Sequence, residues 1–398
     1  MSTPTDPATT SDGSGSRRLL RPVVMRDRTA AHRAATPLEL LFDLCFVVAV
    51  AVLAADLHHG LAENHALSAV VTYAVLFVPI WWAWMSYTWF ATAFDNDDVL
   101  FRILTLAQMG GVLVLAATLP TAAAGNPVPF TLAYTAMRLP LVVQWLRAAH
   151  DDSAHRVFAQ RYAIGTLAAQ AVWLLALAVP LPWRLAVWAL ALAVDLLTPP
   201  WAVKAAPGRV FHVGHIAERY GLFTIIVLGE TLLAVAVGAR DVVDAGTVDL
   251  TSVTICAAAL VIAFALWWIY FDALGREALE RNRRAAFVWG YGHLLLYAAI
   301  AAIGAGVQAQ LDDHGGELPA GAAFFVAVPA AVALASMAWL QLSANLRRAS
   351  ALTLLVASVV VLLLPVVLRS APAWVDALVA AAVVVVVAVE TRGAAARR

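Results

Sequence analysis

The chain has little of what a soluble enzyme requires. It holds two cysteines, Cys45 and Cys256, in 398 residues. Each lies inside an apolar run, so neither a disulfide framework nor a cysteine-based metal centre has the residues to form, and both are read as packing residues. Lys204 is the single lysine among 26 basic residues, a compositional preference for arginine that marks no site. Charged residues make up only 13% of the chain and the formal net charge is zero. No basic or acidic field therefore argues for a nucleic acid or another polyanionic partner. No nucleophile elbow, phosphate loop or complete metal motif occurs.

Apolar sequence is what the chain has in abundance. Hydrophobic residues are 62% of it and the mean hydropathy is +0.81, against about 45–50% apolar residues in soluble domains. Runs long enough to cross a bilayer, about 17–25 residues each, fall at roughly 38–57, 67–91, 99–120, 127–148, 162–180, 181–198, 218–238, 248–271, 287–308, 321–342, 351–368 and 373–390. The sequence predicts an all-α integral membrane protein of about twelve transmembrane helices. Pro180 and Pro182 mark the division between the fifth and sixth spans.

Arginine placement tests that map. With the first segment on the cytoplasmic side, only Arg184, Arg240 and Arg369 fall in outward loops and Arg138 falls inside a span, while the remaining basic residues of the 26 lie on inward segments. This is the asymmetry of a positive-inside membrane protein, and it predicts a multi-pass membrane protein with both termini cytoplasmic. Residues 1–35, Ser/Thr-rich and then Arg-rich, contain no signal-peptide core and read as a retained, partly disordered tail. Residues 36–206 and 207–391 read as two six-helix halves, and 392–398 as a cytoplasmic end. Glu39 and Glu218 open the first and seventh spans, Trp81-Trp82-Ala83-Trp84 and Trp267-Trp268-Ile269-Tyr270 close the second and eighth, and an acid, Asp272 in the latter case, follows each cluster. The halves are thus expected to be parallel repeats, a known transporter plan.

The first span begins Thr36-Pro37-Leu38-Glu39-Leu40-Leu41-Phe42-Asp43-Leu44-Cys45-Phe46. Thr36, Pro37 and Glu39 make a capping box with proline at the first helical position, which accounts for Glu39. Asp43 lies one turn deeper, where capping does not reach, and is a candidate for function. A second segment runs His215-Ile-Ala-Glu218-Arg219-Tyr-Gly221-Leu-Phe-Thr-Ile-Ile-Val-Leu-Gly229-Glu230. Together with Phe94-Asp95-Asn96-Asp97-Asp98 and Trp267-Trp268-Ile269-Tyr270-Phe271-Asp272, these stretches resemble the bacterial low-temperature-requirement A family from Thr36 onward. The resemblance implies a multi-pass membrane protein whose biochemical activity is not established.

Glu230 and Arg138 fall near mid-bilayer in the seventh and fourth spans. Each is costly alone in lipid, so the two are expected to face the bundle interior and to satisfy each other or a shared polar site. Gly221 and Gly229, eight residues apart on one face, would permit close approach of a neighbouring helix. His293, about two turns into the ninth span, is either a proton-relay group or a satisfied core histidine. His212, His215 and Glu218 have spacing that could hold a divalent metal, but the segment opens a helix, where Glu218 is favoured electrostatically, and no second ligand motif accompanies it, so no metal or cofactor is expected. Asp56, His58, His59, Glu63 and His65 read as a solvated outer loop, and the 95–98 acids as partners for inward arginines.

Three functions suit these residues. The first is a transporter or channel for a small ion or solute, along a path lined by Asp43, Arg138, Glu230 and His293. The others are a membrane-embedded enzyme acting on lipid-linked substrates through His215 and Glu218, and a structural or regulatory membrane protein. The lipid bilayer and an unidentified small ion or solute are the expected partners.

Overall fold

The computed structural model describes residues 20–26, 34–94, 96–208, 210–273, 283–312, 319, 321–344, 348–368 and 372–395. Asp95 and most of the 1–35 tail lie outside the described residues.

Twelve α-helices follow one another among the described residues: α1 (Pro37–Ala62), α2 (Ala66–Phe94), α3 (Val99–Ala123), α4 (Val128–Asp151), α5 (Arg156–Ala176), α6 (Trp183–Val203), α7 (Val213–Asp244), α8 (Leu250–Ala273), α9 (Arg283–Leu311), α10 (Phe324–Ser343), α11 (Arg348–Val367) and α12 (Pro372–Ala395). They stand where the twelve apolar runs lie. Ten are long and apolar enough to cross a membrane by length and composition; α4 and α5 fall short. Their interiors hold Arg138 and Gln144, and Arg161 and Gln170, which dilute the apolar run. The architecture is all-helical and compatible with an integral membrane protein.

Local chemistry sets the helix ends. The Thr36 amide donates to Glu39 Oε2 at 2.8 Å and the Thr36 hydroxyl accepts from the Glu39 amide at 3.3 Å, the expected capping box. Asp98 caps α3 by accepting from the Phe101 amide at 2.7 Å. Between α5 and α6, Pro180 and Pro182 remove amide donors that a continuous helix would need. Gly125, at φ +95°, supplies the left-handed backbone that turns α3 into α4.

Helix α1 is the hub. It packs on α2, α3, α7 and α9, while α3 continues to α4, α4 to α5 and α5 to α6. In the second half α7 packs on α8 and α9, α9 on α10, α10 on α11, and α12 lies against both α11 and α8. Large apolar side chains face outward: Leu44, Val114, Ile164, Leu352 and Val385 are each more than half exposed. Such a surface is a liability in water and the ordinary exterior of a bilayer-embedded bundle.

The two tryptophan clusters differ. Trp81, Trp82 and Trp84 are buried, whereas Trp267 and Trp268 are about half exposed. Interfacial placement accounts for the second cluster only.

Residues 20–26, in the Arg-rich part of the tail, run as an extended segment against the bundle. The amides of Arg21, Val23 and Met25 donate to the carboxylates of Asp98, Asp151 and Asp152 at 2.9, 2.9 and 3.0 Å. Alternate amides point one way in an extended chain, so three acids at the ends of α3 and α4 hold this segment as a strap. Asp98 also binds Arg147 at 2.7 Å, and Asp97 binds Arg102 at 2.7 Å. The acidic segment thus finds arginine partners, as its position predicts.

Candidate functional site

Two buried ion clusters lie in the bundle. The first joins α1 to α7. Glu39 and Asp43 are one turn apart on α1, and because His212 caps α7 by accepting from the His215 amide at 3.1 Å, His215 and Arg219 are one turn apart at its start. Residues four apart share a helix face, so neighbouring helices bring two acids against two basic side chains. Arg219 Nη2 lies 2.5 Å from Asp43 Oδ1 and its Nε 3.2 Å from Oδ2, a two-pronged pairing. Arg219 Nη1 is 3.0 Å from Glu39 Oε1, an ion contact without hydrogen-bond alignment. The Trp84 indole donates to Asp43 Oδ1 at 2.7 Å. All four ionisable side chains are buried.

Proton placement follows from Thr92. Its hydroxyl donates to the Thr88 carbonyl at 2.8 Å, so at His215 Nδ1, 3.0 Å away, the hydroxyl accepts and Nδ1 carries hydrogen. His215 Nε2 then faces Glu39, 3.3 Å from Oε1 and 3.4 Å from Oε2. Two lone pairs do not attract, so a proton sits between them on one partner or the other. With that proton, the charges of Glu39, Asp43, His215 and Arg219 sum to zero.

The second cluster is Arg138 on α4 with Asp195 on α6, Nη2 to Oδ1 at 3.2 Å, both buried. Arg138 lies ten residues into its helix and Asp195 twelve into its own, about 15 and 18 Å along at 1.5 Å per residue. Among the described residues, Arg138 Nε and Nη1 have no hydrogen-bond partner, and neither do the hydroxyls of Thr131, Tyr134, Thr135 and Tyr162 or the amide of Gln170. These residues lie on α4 and α5, the two helices that fall short of span-like apolarity; other buried polar atoms without a hydrogen bond among the described residues lie elsewhere, those of Gln310, Gln341 and Asp376 among them. A cavity of about 10 Å³ adjoins the pair, lined by Arg138, Tyr162, Thr166, Asp195 and Thr198 among others. That is room for about one water.

The profile of the bacterial low temperature requirement A protein (LtrA) family matches residues 34–389. The chain belongs to this family. It is also similar to an uncharacterized protein of Rhizobium meliloti (strain 1021), 28% identical over 292 residues, a stretch that covers 69% of each chain. In this LtrA-family chain the α1 and α7 segments quoted from the sequence are the ones that meet in the first ion cluster.

The expected pairing of Arg138 with Glu230 is corrected: α4 faces α6 through Arg138, and Asp195 is the partner. Glu230 is half-buried, with no hydrogen bond or ion pair among the described residues, and it lies eleven residues, about 16 Å, beyond Arg219 on α7. His293 has both ring nitrogens engaged: Nδ1 donates to the Trp289 carbonyl at 2.8 Å, so Nε2 accepts from the Tyr270 hydroxyl at 3.0 Å. It is a satisfied core histidine. Asp43, Arg138 and His293 thus have different hydrogen-bond partners, and Glu230 has none among the described residues.

His212, His215 and Glu218 do not converge either, since His212 caps α7, His215 contacts Glu39 and Thr92, and Glu218 accepts from the Ala35 amide at 3.2 Å. No group of three or more His, Cys, Asp or Glu side chains among the described residues is placed to hold a metal ion. A Cβ on Gly221 would sit 3.2 Å from the Phe271 ring, whereas one on Gly229 would meet nothing within 4 Å. Only the first glycine serves close packing. In the outer loop, His58 Nε2 lies 2.7 Å from Asp312 Oδ2, a tie between α1 and α9 where a solvated loop was expected.

Sequence reasoning quoted Arg219 as a motif residue without giving it a partner, and it missed Asp195. Arg219 carries the same one-turn step from His215 that Asp43 carries from Glu39, and that symmetry was the available signal. Asp195 is an acid in the apolar run of α6, open to the same argument that singled out Glu230.

Proposed function

We propose that this LtrA-family protein is a multi-pass protein of the bacterial cytoplasmic membrane, both termini cytoplasmic, that passes a small ion or solute through its first six helices. One observation carries the reading: the Arg138–Asp195 pair lies midway along its helices, and two guanidinium donors of Arg138 make no hydrogen bond. A permanent structural pair is favourable only when its remaining donors are satisfied. Donors left over in a membrane interior suit a water or solute that exchanges.

Both halves follow one neighbour pattern, α1 to α3 to α4 to α5 to α6 and α7 to α9 to α10 to α11 to α12, which supports the parallel repeat. The unlike burial of the tryptophan clusters argues for divergence between the halves. The enzymatic reading draws no such support, because His215 and Glu218 are engaged with Glu39, Thr92 and Ala35.

The test is flux of protons, sodium, potassium and small solutes into liposomes containing the purified protein. Flux that falls at least about tenfold, roughly 1.4 kcal/mol, in folded Arg138→Gln and Asp195→Asn proteins is the expected result. No flux above empty liposomes under any condition would overturn the reading.

A further inference from the structure

A cleft of about 650 Å³ opens between the first halves of α2 and α6, with the α3–α4 turn at one side and α5 behind. It exists because α6 stands away from the bundle at its start: none of residues 183–190 is buried, and the buried face of the helix begins at Ala191. The wall is apolar, built from Val71, Val75, Phe130, Trp173, Leu185 and Trp188 among others, and no acid lines it. Arg184 is the one charged lining residue. Its Nε donates to the Val179 carbonyl at 2.9 Å, which fixes the guanidinium at the α5–α6 turn. Its Nη atoms make no hydrogen bond or ion pair among the described residues.

We propose that this cleft holds one acyl chain of an anionic phospholipid whose headgroup phosphate rests on Arg184. The dimensions suit it. From Arg184 to Leu192 the lining of α6 runs eight residues, about 12 Å, close to half of a hydrocarbon core of about 30 Å. The volume lies within the roughly 300–1,000 Å³ of small-molecule sites. At the turn, Leu181 and Trp183 are exposed beside Arg184, and tryptophan and arginine together are the side chains of the headgroup layer. Arginine binds phosphate through paired N–H groups. An apolar gap within a bilayer takes up lipid in preference to water, and the single unopposed cation selects a negative headgroup. The seated chain would close the outer side of α4–α5, whether or not that region carries flux.

Native mass spectrometry of the full chain, equilibrated with phosphatidylglycerol or phosphatidylcholine of identical tails, tests this. One retained phosphatidylglycerol per chain is expected, with about tenfold preference over phosphatidylcholine, the scale of one charged hydrogen bond. Arg184→Gln should abolish the preference and leave tail binding. Ala189→Trp, which fills the cleft, should abolish retention. In the folded native chain, lipids brominated on the tail should quench fluorescence less after Trp188→Phe. A headgroup preference unchanged by Arg184→Gln, quenching unchanged by Trp188→Phe, or a smooth distribution of many lipids would each overturn the assignment.

Discussion

Arg219 on α7 grips Asp43 on α1 through Nη2 to Oδ1 at 2.5 Å and Nε to Oδ2 at 3.2 Å, across 176 residues of chain. The pair fixes the two six-helix stretches to each other at the helix through which most of the first half is organised. Breaking one partner leaves a buried charge uncompensated, so Asp43→Asn or Arg219→Gln should cost about 3–5 kcal/mol. Asp43→Leu combined with Arg219→Met removes both charges and should recover most of that loss. Thermal unfolding in detergent reads both effects, and single variants as stable as the native chain would remove the clamp from the argument.

The proton between His215 and Glu39 sets a second expectation. Glu39→Gln keeps the capping box, replaces the shared proton with an amide donor and leaves Asp43 balanced against Arg219. It should therefore cost less than about 1 kcal/mol, the scale of one neutral hydrogen bond. His215→Asn alone leaves the cluster one negative charge in excess and should be much less stable, with Glu39→Gln rescuing it. An additive double-mutant cycle would show that no proton is shared.

Three glycines should rank by what stands opposite them. A Cβ on Gly165 would collide with the Thr198 side chain, so Gly165→Ala should separate α5 from α6 at a cost of about 1–3 kcal/mol. Gly221→Ala meets the Phe271 ring at 3.2 Å and Gly229→Ala meets nothing within 4 Å. The first should be mildly destabilising, and the second should gain up to about 1 kcal/mol of helix propensity. Melting temperatures of the three variants check the order.

The strap over residues 20–26 should be released by acid. Burial pushes the Asp98 carboxyl up, but hydrogen bonds from Arg147 and from the Arg21 and Phe101 amides outweigh it and hold its pKa below the ordinary 3.8. At Asp152 burial again raises the pKa, and the Met25 amide with His155 more than reverses it. A lowered folded pKa means stability that is complete above the unfolded value and lost as pH falls through the folded one. Hydrogen-exchange protection of the Arg21, Val23 and Met25 amides, taken relative to the intrinsic rate at each pH, should be high at neutral pH and should fall below about pH 4. Asp98→Asn should loosen Arg21 at neutral pH; uniform protection across that range would contradict the carboxylate anchors.

Glu230 has no partner among the described residues, so Glu230→Gln should change neither melting temperature nor flux by more than about 0.5 kcal/mol, the usual range for a substitution away from special features. Flux abolished by this variant would move the route from the first half to α7.

The class of the protein was legible in the sequence because its causes are local. Apolar run length placed twelve helices, the Thr36-Pro37-Glu39 pattern placed the start of α1, and Pro180 with Pro182 divided α5 from α6. Asp43 was singled out as a candidate for function because a carboxylate lay there beyond the reach of a cap; its partner, Arg219, was not legible.

Which helix supplies the partner was decided only by tertiary structure. Span-like helices such as α1 and α8 are apolar on nearly every side, so no amphipathic stripe records which face turns inward. Without that rotation, Arg138 could be matched to Glu230 by depth alone, when α4 in fact turns it towards Asp195 on α6. The same uncertainty hid the Arg219–Asp43 grip and the burial of Trp81 and Trp82. The sequence by itself determined the apolar runs in which the twelve helices of the described residues lie. Neighbour and rotation, and with them the meeting of charges, came from packing alone, because contacts between helices depend on the shapes of both surfaces at once.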